Sequence, residues 1–247
     1  MNLSSDNMKL LTDTHTHTIV SGHAYSTFNE NVKSASEAGI KLLAVTDHTS
    51  AMPGAAHDFY FMNLGILPKN INGVEILTGA EVNIMDYDGN VDASEKLMEA
   101  VDLVVASLHP PCINFANKDI ITNTILKVMD NRLIQIIGHP GDGRYPLDYE
   151  KVVKKAKETG TLLEVNNSSL KARSFRPNMR ENLKVMLKWC VKYDNPIVVA
   201  TDAHYCAEVG QFDEAIEFLE ENNFPERLIV NTDPELLKSI ISRKRLK

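Results

Sequence analysis

Seven short apolar runs, each closing on polar or ionisable residues and followed by an amphipathic stretch, constrain this chain more than any other feature. They read KLLTDTHTH (9–17), KLLAVTDH (41–48), VEILTGAEVNI (74–84), VDLVVASLHP (101–110), LIQIIGHPG (133–141), TLLEVNNSS (161–169) and NPIVVATDAH (195–204). Their Val, Ile and Leu content suits strands buried on both faces of a parallel sheet. Helix candidates lie near 29–39, 92–100, 117–130, 148–159, 178–193 and 207–222, with another near 234–243. In DYEKVVKKAK (148–157), Asp148 stands where a cap belongs, the apolar residues share one stripe, and Gly160 follows as a stop. Seven such strand–helix units favour a closed α/β barrel over two domains. RLIVNT (227–232) offers a weak eighth strand, and the stretch 49–73 reads as a long loop of the kind that forms lids.

A chain of 247 residues is long enough to bury a sizeable core and is most simply one domain, 1–247, with its core at about 10–240. No run approaches the roughly 18 apolar residues of a membrane span, and the N-terminus lacks the pattern of a signal peptide. Three scattered cysteines make no disulfide framework, so the expected location is cytoplasmic. The net charge of −7 argues against a general electrostatic grip on nucleic acid, though not against a small phosphorylated substrate. Three bound divalent cations would offset nearly all of that charge.

In parallel α/β folds, chemistry gathers at the C-terminal ends of the strands. Those ends carry His15 and His17, His48, Glu81, His109, His139, and Asp202 with His204, while His23 follows the first strand. Seven of the eight histidines therefore fall at one mouth of the expected barrel. A single strand-end histidine is usually a satisfied structural residue. Independent structural histidines would not all choose the same end. Positions i and i+2 of a strand face one way, so His15 with His17, and Asp202 with His204, can each grip one ion. Imidazole plus carboxylate without thiolate suits zinc, manganese or iron, and about nine ligands imply two or three ions.

DTHTHT, TDHT, the Glu81 strand, SLHPP, IIGHPG, EVNNSS and TDAH together resemble the PHP (polymerase and histidinol phosphatase) superfamily. HAYS (23–26), NNSS (166–169) and the loop around His57 look most like its YcdX-like branch. The resemblance implies a distorted (β/α)7 TIM-like barrel with a trinuclear centre, usually of zinc. It assigns His15, His17, Glu81 and Asp202 to a first ion. Glu81 bridges to a second ion held by His109 and His139, and His23, His48 and His204 hold the third.

Clustered divalent ions favour hydrolysis, because a metal-bound water ionises near neutral pH. Hydroxide held at ions bridged by Glu81 points to a metal-dependent phosphoesterase acting on a phosphomonoester. Arg144, Lys171, Arg173 and Arg176 stand where they can read the rest of the substrate, since guanidinium fits phosphate bidentately. His57, beside Asp58, is a candidate general acid or substrate contact. Asp47 and Asp13 are expected to orient the histidines near them, and Asn166 and Asn167 either bond to ligands or close a turn. Cys112 and Cys206 are left out of the ligand set. The alternatives are a histidinol-phosphate phosphatase, a nucleotide or oligonucleotide phosphoesterase, and a non-catalytic metal-binding or signalling barrel. A nuclease would need a basic track with stacking aromatics, whereas an idle barrel could dispense with Glu81 and Asp202.

Overall fold

The computed structural model of the protein describes residues 8–246. Its strands are β1 (Thr12–Asp13), β2 (Leu42–Val45), β3 (Asn70–Ile71), β4 (Val74–Asn83), β5 (Leu103–Ser107), β6 (Ile136–Ile137), β7 (Leu162–Asn166) and β8 (Ile197–Ala200). The helices are α1 (Phe28–Glu37), α2 (Asp58–Asn63), α3 (Glu95–Ala100), α4 (Lys118–Asp130), α5 (Tyr149–Thr159), α6 (Asn167–Leu170), α7 (Met179–Tyr193), α8 (Asp213–Glu221) and α9 (Pro234–Arg245). Seven strands run parallel in the order β1-β2-β4-β5-β6-β7-β8, and β3 adds an antiparallel hairpin to β4. Each expected strand segment contains one of the seven, so the reading of a distorted (β/α)7 barrel holds.

The barrel nearly closes through the segments beyond β1 and β8. His17 N donates to Ala203 O at 2.9 Å, and Asp202 N donates to His15 O at 2.9 Å. The expected eighth strand is absent. Residues 226–228 and 230–232 form 3-10 turns, Ile229 between them makes a single parallel bridge to Ile197, and the buried Asn231 supplies the further pairing. Its side-chain amide donates to Thr12 O (2.9 Å) and Val199 O (2.7 Å), while its Oδ1 accepts from Val199 N at 2.7 Å. One asparagine thus satisfies backbone groups of both β1 and β8 that burial would otherwise orphan.

Alternation along the strands divides the core. Leu42, Ala44, Leu103, Val105, Ile136, Leu162 and Val198 form an inner cluster joined by Leu237 and Ile241 of α9. The intervening residues, such as Leu43, Val45, Val104, Ala106, Leu163 and Val199, belong to the larger cluster that includes the helices. On α5, Tyr149, Val152, Val153 and Ala156 make the buried stripe, Asp148 caps Lys151 N, and Gly160 ends the helix in the left-handed region. The expected helix at 207–222 begins only at Asp213, because Cys206–Glu208 is a 3-10 turn and Gly210 has φ 72°. The expected loop at 49–73 holds α2, a 3-10 turn and β3. No helix among the described residues is long and apolar enough to cross a membrane.

Candidate metal centre

The Glu81 carboxylate sits at the C-terminal mouth with five imidazoles around it. His15 Nε2 (3.3 Å), His109 Nε2 (3.4 Å) and His139 Nε2 (3.3 Å) face its Oε1. His17 Nε2 (3.5 Å) and His48 Nδ1 (2.6 Å) face its Oε2. Asp202 Oδ1 lies 3.2 Å from His17 Nε2, 3.7 Å from His15 Nε2 and 3.5 Å from His204 Nδ1. His23 is exposed; its ring stacks on His48 and tilts against His204, with centroids 5.0 and 4.8 Å apart. All nine expected ligands therefore converge on one place.

Strand geometry explains the convergence. His15 and His17 project to one side of the segment after β1, whereas the intervening Thr16 turns away, its hydroxyl donating to Ala44 O at 2.8 Å. Two of the converging residues hold unusual backbone: His139 has φ 30° and Asp202 has φ 54°. Left-handed conformations at non-glycine residues cost energy and collect at functional sites, where they aim a side chain the regular strand could not.

The rings are held from behind. His15 Nδ1 donates to Glu164 Oε1 at 2.7 Å, His109 Nδ1 to Asn83 Oδ1 at 2.7 Å, and His17 Nδ1 to Ser21 Oγ at 3.0 Å. Each bond puts the ring proton on Nδ1 and leaves the Nε2 lone pair facing the carboxylates, the tautomer a metal ligand needs. Asp47 does not touch His48. It accepts from Thr18 N, Thr18 Oγ1, Tyr60 Oη and Ser21 Oγ, and so supports His17 through Ser21. Asp13 meets no imidazole; it accepts from Thr201, Gly210 and the backbone of His15, and fastens β1 to the segment after β8.

Electrostatics point the same way. Burial, then the neighbouring His204 and His48, hold His17 well below the usual histidine range. Burial pushes His109 down to about 4, and burial with His48 lowers His23. For Glu81 and Asp202 burial works against ionisation, but the surrounding histidines, together with Arg176 at Asp202, hold both carboxyls well below their ordinary range. His15 is the exception: burial opposes its charge, yet Glu81, Glu164 and Asp202 outweigh it and raise its pKa well above normal. Imidazoles whose charged form is disfavoured at His17, His23 and His109, beside carboxylates that favour ionisation, form a donor set for a cation.

The residues fit a metal by a further measure. His15 Nε2, His17 Nε2, His48 Nδ1 and Glu81 Oε2 are buried with no hydrogen-bond partner. Orphaned buried polar atoms are costly unless something else satisfies them. Three overlapping groups have ligand atoms within 4.8 Å of one another: His15, His17 and Asp202; His48, Glu81 and His109; His17, His48 and His204. His48 thus reaches toward Glu81 as well as toward His204.

The profile of the PHP domain family matches residues 13–226, a span that takes in all nine of these converging residues. The chain belongs to the PHP domain family. Its PHP relatives include a probable phosphatase of Clostridium novyi (strain NT), 46% identical over 237 residues and covering 96% of each chain. Another, from Thermoanaerobacter sp. (strain X514), is 46% identical over 242 residues, covering 97% of this chain and 98% of the relative. Among solved structures, the histidinol phosphate phosphatase of Lactococcus lactis subsp. lactis Il1403, complexed with zinc, L-histidinol and phosphate, shares the fold. That likeness has a TM-score of 0.63 at 16% identity and covers 87% of this chain and 94% of that one.

The PHP centre opens into a cavity of about 610 Å³ whose lining includes His23, His48, His109, Asp202 and His204. Arg176 reaches it from the loop after α6, its Nη1 donating to Ser169 Oγ (2.7 Å) and Asp202 Oδ2 (3.1 Å). Arg144 is gripped by Asp142, and Lys171 and Arg173 meet Glu208, all on the same cavity wall. His57 is placed differently. It caps α2 by accepting from Phe59 N, is exposed, and is not among the cavity-lining residues. Asn166 does both things expected of it: it caps α6 and donates to Glu164 and Asp202. Asn167 instead accepts from Ala215 N. Glu164, Asn83 and Ser21 were missed by reading the sequence. Glu164 had a signal, a charged residue within the apolar run TLLEVNN, which a buried strand tolerates only with partners.

Proposed function

We propose that this PHP barrel hydrolyses a phosphomonoester at a trinuclear metal centre, most simply of zinc. The carrying observation is the buried Glu81 carboxylate faced by His15, His17 and His48 nitrogens that lack hydrogen-bond partners, beside a cavity lined by His23, His48, His109, Asp202, His204 and four cationic side chains. His15, His17, Glu81 and Asp202 would hold one ion, Glu81, His109 and His139 a second, and His23, His48 and His204 a third. Ions so held supply Lewis acidity and bring a water toward ionisation at neutral pH.

The side chains of this chain do the rest. Glu164, Asn83 and Ser21 fix ring orientation, so the ligands need not reorganise as charge develops. Arg176 positions Asp202 through Nη1 and sets its Nε 4.0 Å from Asp142 Oδ2, while the guanidinium as a whole lines the cavity as a phosphate contact. Arg173, which also lines the cavity, is a candidate contact for the remainder of the substrate. Phe175 lies between the guanidiniums of Arg144 and Arg176, 5.1 and 5.2 Å from its centroid, and restrains both. The HAYS and NNSS motifs support placement in the YcdX-like branch, and the similar relatives named as probable phosphatases support the activity.

Elemental analysis of purified protein, joined to a phosphatase screen of wild type, Glu81→Ala and His109→Ala, tests this reading. Two or three ions per chain and a strong loss of turnover in both variants are expected. Fewer than two ions with chelator-resistant activity, or equal turnover in all three proteins, would sink it.

A further inference from the structure

We propose that the substrate carries a second anionic group, a phosphate or carboxylate beyond the scissile phosphate, received by Lys171 and Arg173. The proposal rests on the phosphatase reading and narrows it to a substrate class. It begins from an imbalance of charge on one cavity wall. Four cations, Arg144, Lys171, Arg173 and Arg176, line the cavity on the side of the loop after β7. Two are spoken for. Arg144 is clamped by the buried Asp142, and Arg176 is bonded to Asp202.

Lys171 and Arg173 share a single carboxylate, Glu208, and even a single oxygen of it. Lys171 Nζ lies 2.6 Å and Arg173 Nη2 3.3 Å from Glu208 Oε1. One carboxylate therefore faces two cations, which leaves net positive charge on the cavity lining. The Lys171 side chain is only 23% exposed, so its charge is partly shielded from water, whereas Arg173 is 82% exposed and free to swing onto a ligand. Both stand on a built support. Lys171 directly follows α6, whose cap Asn166 bonds to Asp202, and Ser174 N donates to Lys171 O at 2.9 Å.

A bare phosphate cannot fill a cavity of about 610 Å³, which has room for a whole small metabolite. A molecule with an anion at each end can. Lysine and arginine on one carboxylate recognise phosphate or carboxylate by charge-assisted hydrogen bonds, strengthened where water is partly excluded. The same wall repels a leaving group that bears an ammonium ion, which separates this enzyme from one built for an amino-alcohol phosphate.

Phosphonates, whose C–P bond resists hydrolysis, separate binding from turnover. Calorimetry on the metal-loaded protein at low salt should compare 3-phosphonopropionate with propylphosphonate, and 1,6-hexanediphosphonate with hexylphosphonate, so that two reaches are sampled. In at least one pair the probe with two anionic groups should bind about tenfold tighter. Lys171→Ala combined with Arg173→Ala should bring that ratio near one, and Glu208→Gln should increase it. Equal affinities within both pairs, or a preference that survives the double substitution, overturns the proposal. If the loaded protein turns over no phosphomonoester at all, the phosphatase reading falls, while the phosphonate ratios still decide whether this wall selects a second anion.

Discussion

His15 Nδ1 and Glu164 Oε1 lie 2.7 Å apart, both fully buried, although 149 residues separate them in the chain. The other oxygen of Glu164 accepts from His139 N at 2.5 Å, so one carboxylate orients ligands from two strands of the barrel. Glu164→Gln should lower metal affinity by roughly 10- to 100-fold, the usual cost of losing a partner behind a metal-bound histidine. A competition titration with a chromogenic chelator measures it. Unchanged affinity would reduce Glu164 to a packing residue.

The unpartnered nitrogens at Glu81 predict a large stabilisation by metal. Protein stripped by a chelator and then supplied with zinc at about a thousandfold above its dissociation constant should gain roughly 4 kcal/mol per independent site. In a chain of 247 residues that corresponds to a rise in Tm of about 10 °C. Thermal unfolding followed by circular dichroism decides the point, and His17→Ala should blunt the response.

Asp13 predicts a pH dependence of stability that is separable from catalysis. Burial, only partly offset by hydrogen bonds from Thr201 and Gly210, pushes its carboxyl from 3.8 up to about 6. The folded state therefore holds this proton more tightly than the unfolded chain. Its favourable contribution is complete below pH 3.8 and is lost as pH rises through about 6, a swing of roughly 3 kcal/mol. In metal-free protein, denaturant melts should show Asp13→Asn gaining on wild type by that amount between about pH 4 and 7. Other groups titrate in both proteins and cancel in the difference.

Arg176 has two tasks that a pair of substitutions separates. Arg176→Ala removes both the donor to Asp202 and the donor aimed at substrate, and turnover should fall by about 10²- to 10³-fold. Arg176→Lys keeps the charge but loses the fork, so it should recover only part of the loss. Steady-state kinetics with a phosphomonoester checks this. Full activity in the lysine variant would show that charge alone matters.

Much of the architecture was legible before folding because its causes are local. Strands buried on both faces must be apolar throughout, and helices on a barrel must carry one apolar stripe, so KLLAVTDH and DYEKVVKKAK announce themselves. RLIVNT, a weak candidate for an eighth strand, pairs through a single bridge of Ile229 to Ile197 and through Asn231, since hydrophobicity does not reveal that an asparagine amide can supply such pairing. That amide satisfies β1 and β8 together, and that depends on where two distant segments meet. The helix expected from residue 207 overran its start because Gly210 breaks the path with a left-handed turn that residue periodicity does not register.

For the centre, the sequence by itself determined which histidines and carboxylates gather and at which end of the barrel. A period of two puts His15 and His17 on one face, and strand ends in a parallel barrel share one mouth. What sits behind the ligands was a matter for tertiary structure alone. Asp47 stands beside His48 in sequence yet serves His17 through Ser21, and Asp13, two residues from His15, clamps β1 instead. His57, expected near the chemistry, caps a helix on the exposed side. The reason is directional. A backbone period tells which way a side chain leaves its strand, but a hydrogen bond needs a partner within about 3 Å, and in a barrel that partner comes from whichever strand closure brings alongside.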